Sequence, residues 1–493
     1  MKKCFDNNKY IKLQSAEILK RVKIFDNKLY LELGGKLFDD MHAARVLPGF
    51  KSNAKIEVLK TLRKKLEIIF CINAEDIASN KINSNVNLTY DIDLLRLIDE
   101  LRNLGFKVDN VVITLFTGQP AAILFRKKLA RRNIKTYIHT YTKGYPTDVD
   151  TIVSDEGYGA NDYIETTEPI VLIASPGPGS GKLATALSQL YHEYKRGIKA
   201  GYAKYETFPV WNLPLKHPLN IAYETATADL KDINMIDSFH LEEYGVKAIN
   251  YNRDLKIFPI LNKILYKITG EQIYKSPTDM GVNMVGYCIT DNEEAILAAN
   301  QEMVRRYYRS LADYKKGIVD EETPQRIKIL LDEANVDINI RKVVSHAYNK
   351  TKKEKVPVIA MQINSHKIIT GKNTIIMTAA SSLILNALKE FAHINDDINL
   401  LSPSVLEPML KLKKEIYGND KSMLSLQEVL YGLSICSSNN TLCEKALSKL
   451  DKLKNLEAHA SFFIPIGDEK LLSNLGINLT TEPEFYSKNL FWE

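Results

Sequence analysis

The residues best equipped for chemistry lie between Pro169 and Gly197, in PIVLIASPGPGSGKLATALSQLYHEYKRG. A five-residue apolar run, Ile170 to Ala174, leads into Gly177, Gly179 and Gly181, then Lys182, then a stretch whose Leu183, Leu187, Leu190, Tyr194 and Ile198 share one helical face. Strand, glycine loop and helix in that order suit an oxyanion. Amide N–H groups at a helix start lack intrahelical acceptors, and the helix dipole favours negative charge there. Glycine lets the backbone approach a phosphate with no Cβ in the way. Lys182 adds a point charge for the β- and γ-phosphates of a nucleotide and is read as the catalytic cation. The expected phosphate-binding set is Gly177, Gly179, Ser180, Gly181, Lys182 and Thr185, and the expected ligand is ATP or GTP with Mg2+. A structural glycine turn is the alternative.

The spacing departs from G-x-x-x-x-G-K-[ST] at two places. Pro176 stands where the first glycine belongs, and Leu183 where the metal-binding hydroxyl belongs. The core Pro178-Gly179-Ser180-Gly181-Lys182 is similar to the loop of nucleoside monophosphate kinases, which follow the lysine with a small residue and a hydroxyl; here Ala184 precedes Thr185. The Mg2+ ligand is therefore displaced or absent, with Thr185 a weak substitute. A carboxylate after a neighbouring apolar strand completes a magnesium site. LEIIFCINAED supplies Glu75 and Asp76, and Asp76 is read as the catalytic carboxylate; Asp237, after Ile233-Asn-Met-Ile, is a poorer match. A helix cap or first-turn charge is the plain alternative for each.

Other polar groups are secondary candidates. Gly34-Gly35-Lys36 follows a strand and precedes Asp39, Asp40 and His42, so Lys36 and Asp39 have the makings of an anion or Mg2+ site; a plain β-turn with a solvated acidic start to the next helix is the favoured reading. Lys143 and Asp148 lie in KGYPTD, and Lys275 and Asp279 in KSPTDMGVN, loops that end near one site only if the fold makes them converge. Thr370-Gly371-Lys372 reads as a hairpin turn with phosphate binding as the alternative, and His459 as a structural histidine on a strand. Several chemistries are excluded. His192-Glu193 and His240 lack the second histidine of H-E-x-x-H, no G-x-S-x-G elbow exists, and G-x-G-x-G at 177 to 181 is not the dinucleotide spacing.

These groups need a scaffold. Apolar runs at 28–33, 67–72, 110–115, 135–140 and 169–174 alternate with helical patterns at 53–66, 91–105 and 119–132, which predicts an α/β fold: a parallel sheet between two layers of helices. Residues 201–290 read as an irregular aromatic cap with Pro and Gly, and 293–313 as a long amphipathic helix. With 493 residues, more than one domain is required. The charged stretch 315–325 marks the boundary, giving 1–320, divisible into 1–165 and 166–320, and a smaller C-terminal α/β or mainly helical domain, 321–493. In the latter, helices are expected at 325–335, 338–350, 379–391, 403–415, 425–437 and 441–453, and strands at 357–363 and 459–466. Composition is that of a folded protein: 45% hydrophobic and 26% charged, with 66 basic against 60 acidic residues, a net +6 too small to imply nucleic acid or an anionic membrane. Five cysteines without a C-x-x-C pair are read as reduced thiols, and with no secretory start or long apolar run the expected location is the cytoplasm.

KLYLELGGKLFDDMHAARVLPGF, KGYPTDVDTIVSDEGYGANDYIETT, ASPGPGSGK, FPVWNLPLKHPLNIAYETATADL, NYNRD and KSPTDMGVNM, with LNALK and LLSPSVLEPM further on, resemble the stretches that mark the bacterial domain-of-unknown-function family 1846, also called uncharacterised protein family 0371. The resemblance runs over nearly the whole chain. It implies a nucleotide-like loop with the same glycines and lysine, usually with Met in place of Leu183, and no established reaction. Two functions are consistent with the loop: a nucleotide-dependent phosphotransferase or NTPase, or a non-catalytic protein that binds a nucleotide or phosphorylated metabolite.

Overall fold

Short uninterrupted apolar runs become strands buried on both faces. The computed structural model describes residues 2–83, 86, 88–418 and 423–486. It divides into two compact units, Met1–Ala299 and Asn300–Glu493. In the first, β1 (Leu29–Leu33), β2 (Leu66–Asn73), β3 (Lys107–Thr114), β4 (Lys135–Ile138), β5 (Ile170–Ala174), β6 (Gly201–Tyr205) and β7 (Gly281–Val282) form a seven-stranded sheet in the order β7-β6-β1-β5-β2-β3-β4. Every pairing is parallel. All five residues of β5, the central strand, are buried.

Six helices matter for the site: α1 (Asn7–Ile24), α2 (Ala54–Leu62), α3 (Tyr90–Asn103), α4 (Pro120–Ala130), α5 (Lys182–Lys195) and α6 (Asn252–Thr269). The connections through α2, α3 and α4 move the chain across the sheet from β1 to β4. The chain then returns to insert β5 between β1 and β2, and α5 carries it the opposite way to β6. Right-handed crossovers in opposite directions place their helices on opposite faces. The connections leaving β2 and β5 thus diverge, and a crevice opens between them at the strands' carboxyl ends, the usual ligand position in open parallel sheets. At the other end of β5, the buried Glu67 carboxylate accepts the amides of Thr167 and Glu168 at 2.6 and 2.8 Å and fixes the start of the strand.

The region 201–290 is more regular than its sequence suggests. It holds β6, β7, α6 and an antiparallel pair, Asn234–Ile236 with Ile249–Tyr251. Aromatic and charged residues break the apolar run of β6, and β7 has only two residues. No helix among the described residues is long and apolar enough to cross a membrane.

The second unit is also α/β. β8 (Val358–Gln362), β9 (Ile368–Lys372), β10 (Glu457–Ala460) and β11 (Asn478–Thr481) form a mixed sheet in the order β9-β8-β10-β11. Its core gathers Leu383, Ile384 and Leu388 of α7 (Ala379–Ala392) with Val429, Leu433 and Leu472. One expectation is corrected here. Thr370-Gly371-Lys372 is not a turn: it lies inside β9, antiparallel to β8. A Cβ on Gly371 would come within 2.2 Å of the Leu383 amide, so this glycine serves the close packing of α7 on the strand.

Candidate functional site

The glycine loop leaves β5 at the crevice. Gly179 and Gly181 have φ of +72° and +80°, and Gly181 caps α5 without a side chain. That left-handed turn aims the first amides of a fourteen-residue helix at the crevice. Carbonyls of the loop are tied down from below: Ser180 O accepts Thr114 Oγ1 at 2.8 Å, and Gly177 O accepts Ser175 Oγ at 2.8 Å. Asn73 Nδ2, at the end of β2, lies 3.5 Å from Gly179 O. The amides are different. Those of Gly177, Gly179, Ser180, Gly181 and Lys182 donate no hydrogen bond among the described residues. Ser180 is buried, and its hydroxyl also has no partner among them. Lys182 Nζ lies 3.3 Å from Ser175 Oγ, folded back over the loop.

Thr185 is fully buried on the core side of α5, its hydroxyl 3.5 Å from both Cys71 Sγ and His139 Nδ1. Burial pushes the Cys71 thiol up to about 12, with Lys182 pulling down and Glu32 pushing up. Burial likewise holds His139 down at about 4. The layer under the loop is therefore neutral. Asp76 is also buried, in the helix Ala74–Ala78 capped by Asn73, and pairs with Lys81 at 3.0 Å. Lys81 stands 5.3 Å from the Tyr90 ring centre, and Tyr90 packs on Gly177 so closely that a Cβ there would come within 2.4 Å of the ring. Asp76 thus reaches the loop through Lys81 and Tyr90, while Glu75 is exposed.

The secondary candidates lie apart, each with partners of its own. The carbonyls of Gly34 and Lys36 accept the buried Lys55 ammonium, each at 3.0 Å, so this turn offers oxygens to a cation. Asp39 is exposed, and its neighbour Asp40 caps the next helix and pairs with Lys55 at 3.1 Å. Lys143 pairs with Glu156, and Asp148 caps a short helix by accepting Thr151 N at 3.1 Å. Asp279 closes a capping box with Ser276, and Lys275 lies 3.9 Å from Glu243.

A second polar centre went unread. Glu32 on β1 lies beside Ile173 of β5 and opposite Lys204 of β6. It accepts Tyr202 OH at 2.8 Å. Lys204 Nζ contacts Glu206 at 2.7 Å and Asp254, in the first turn of α6, at 2.8 Å. Burial pulls the Lys204 pKa down, but Glu206, Asp254 and Glu32 together outweigh it and keep the ammonium charged. Burial pushes Glu206 upward against the pull of Lys204. The available signal was charge set among apolar and aromatic residues, Glu32 in YLEL and Lys204 with Glu206 in GYAKYE. Among the described residues no group of three or more His, Cys, Asp or Glu is arranged to hold a metal ion.

Comparison with known proteins also divides the chain in two, at a point downstream of the division at Ala299. The model of the family described as Domain of unknown function DUF1846, N-terminal, matches residues 3–335, and that of its C-terminal domain matches 339–491. A UPF0371 protein of Clostridium tetani (strain Massachusetts / E88) is 53% identical over 503 residues, covering all of both chains. One from Clostridium botulinum (strain Langeland) is 53% identical over 497 residues, 99% of each chain, and one from strain Alaska E43 is 52% identical over 501. With both family models matched in sequence order along nearly its full length, the chain belongs to the DUF1846 family.

Proposed function

We propose that the loop from Ser175 to Lys182 binds the phosphate of a small phosphorylated molecule, a nucleotide such as ATP or GTP included. The observation that carries this reading is the set of five loop amides without acceptors among the described residues, at the start of α5 and at the sheet's switch point. An unpaired amide is costly unless water or a ligand accepts from it. Lys182 supplies the compensating charge from within reach of the loop.

Phosphoryl transfer is the stronger form of the proposal. Lys182 would then draw charge from the β- and γ-phosphates, and Asp76 would have to leave Lys81 to act. Leu183 replaces the expected hydroxyl and Thr185 faces the core, so these residues fit Mg2+ poorly; an ion would be held chiefly by the nucleotide's own oxygens. Binding without transfer is accordingly the better-supported form.

Titration calorimetry with inorganic phosphate, ATP and GTP, with and without Mg2+, tests both. Lys182→Ala is expected to weaken binding about tenfold or more, the usual value of a charge-assisted bond to phosphate. Absence of binding by all three, or binding indifferent to Lys182→Ala, sinks the proposal. Release of phosphate from ATP that stops in Asp76→Asn would support transfer.

A further inference from the structure

We infer that a basic hollow at the amino end of β2 binds a small polyphosphate, at a site separate from the glycine loop. The hollow measures about 310 Å³. Leu19 of α1 and Leu62 at the end of α2 give it apolar surface, and Lys60, Arg63, Lys64 and Lys65 line it with charge. Small-molecule sites have volumes of roughly 300–1,000 Å³, so a compact ligand fits. Lys65 directly precedes β2, whereas Asn73, at the other end of that strand, faces the glycine loop. Eight residues of strand separate the two places by about 23 Å, so one small ligand cannot span them.

Four cations and no carboxylate line the hollow. Glu57 partly neutralises Lys60 at 2.9 Å. Lys64 and Lys65 are exposed, and neither makes a hydrogen bond or ion pair among the described residues. Arg63 Nη1 donates to Leu104 O, the carbonyl just past α3, at 2.9 Å, which holds the guanidinium in place while its remaining N–H groups stay available. The next carboxylate along the chain, Glu67, is buried and occupied by the amides of Thr167 and Glu168. Lys23, exposed and four residues after Leu19, falls on the same face of α1 and adds a further cation.

Cations at the end of a helix ordinarily answer its dipole. That dipole amounts to roughly half a charge, against the three of Arg63, Lys64 and Lys65. Gathered around one recess, the excess repels itself until an anion joins it. A guanidinium fork matches a phosphate in two parallel bonds, and ammonium groups serve a neighbouring phosphate as point charges. A recess of this size favours a small molecule over nucleic acid or a membrane, which need an extended surface.

Calorimetry with inorganic tripolyphosphate tests the site, each place being measured with the other disabled. In Lys182→Ala, tripolyphosphate is expected to bind, and adding Lys64→Ala with Lys65→Ala should weaken it about tenfold or more, as for charge-assisted bonds to phosphate. Both lysines are exposed, so their replacement leaves the core intact. Replacing Lys352 and Lys353, an exposed pair in the second unit, should change little and controls for general attraction. No binding in Lys182→Ala overturns the inference and spares the phosphate reading of the loop. Binding there that ignores Lys64 and Lys65, that falls equally on loss of Lys352 and Lys353, or that citrate matches also overturns it. Binding lost with Lys64 and Lys65 but unchanged by Lys182→Ala keeps the hollow and removes the loop.

Discussion

His139 beneath the glycine loop is held neutral by burial, from 6.5 down to about 4. A histidine with a lowered folded pKa contributes stability that is complete above about 6.5 and is lost as pH falls toward 4, because only the unfolded chain takes up the proton in that window. At 1.36 kcal/mol per pKa unit the loss approaches roughly 3 kcal/mol. Thermal melts from pH 7 to 4 should show a falling midpoint, and His139→Gln should flatten part of the slope. Arg341 offers a second test. It is fully buried, paired with Glu457 and bonded to Ala458 O at 3.1 Å and Thr480 Oγ1 at 3.2 Å. Glu457→Ala strands that guanidinium and should cost about 3–5 kcal/mol. Arg341→Met should cost less, since Glu457 keeps Arg305 at 2.9 Å. At this scale the sequence was legible where backbone chemistry dominates, as in the run from Gly177 to Lys182. Glu32 and Lys204 were illegible as a pair because each is one charge in an apolar or aromatic strand and only cross-strand register makes them neighbours; Glu206 follows Lys204 by two residues, just past the strand. Thr185 was misleading for a related reason: the phase of α5 turns it toward Cys71 and His139.

Elements were easiest to read where both faces are covered. The five early strands all form, with β1, β2 and β5 almost wholly buried, β3 buried over its second half and β4, KTYI at the sheet edge, only partly covered, and α3 follows the stripe of Leu94, Leu95, Leu97, Ile98 and Leu101. Residues 368–372 fooled the same reasoning, since glycine beside lysine is common in turns, whereas here glycine admits a helix backbone. Element-level stability at the loop depends on Gly181. With φ of +80° and Thr114 at 3.0 Å from an added Cβ, Gly181→Ala should destabilise by about 1–2 kcal/mol, read as a lowered melting midpoint, and should weaken phosphate binding by tilting the start of α5.

For the whole molecule, the division at Ala299 falls inside the helix Asn292–Lys315, upstream of the charged stretch at 315–325. No sequence signal marks a break within a continuous amphipathic helix. The part of that helix in the second unit carries Glu302 and Arg305, and Arg305 pairs with Glu457. A fragment beginning at residue 300 should therefore unfold cooperatively in urea at a higher midpoint than one beginning at residue 321. Equal midpoints would show that the helix contributes nothing to this unit.

The strand order also governs how the chain leaves the ribosome. β1 and β2 are consecutive in sequence yet never touch, because the place between them is kept for β5. Until Ile170–Ala174 has been synthesised, each presents an unpaired, largely apolar edge, the kind of surface that recruits foreign strands. Closing so distant a contact is slow. Nascent chains halted before Ile170 should therefore depend on chaperones, and those carrying the glycine loop clear of the exit tunnel should be released from them.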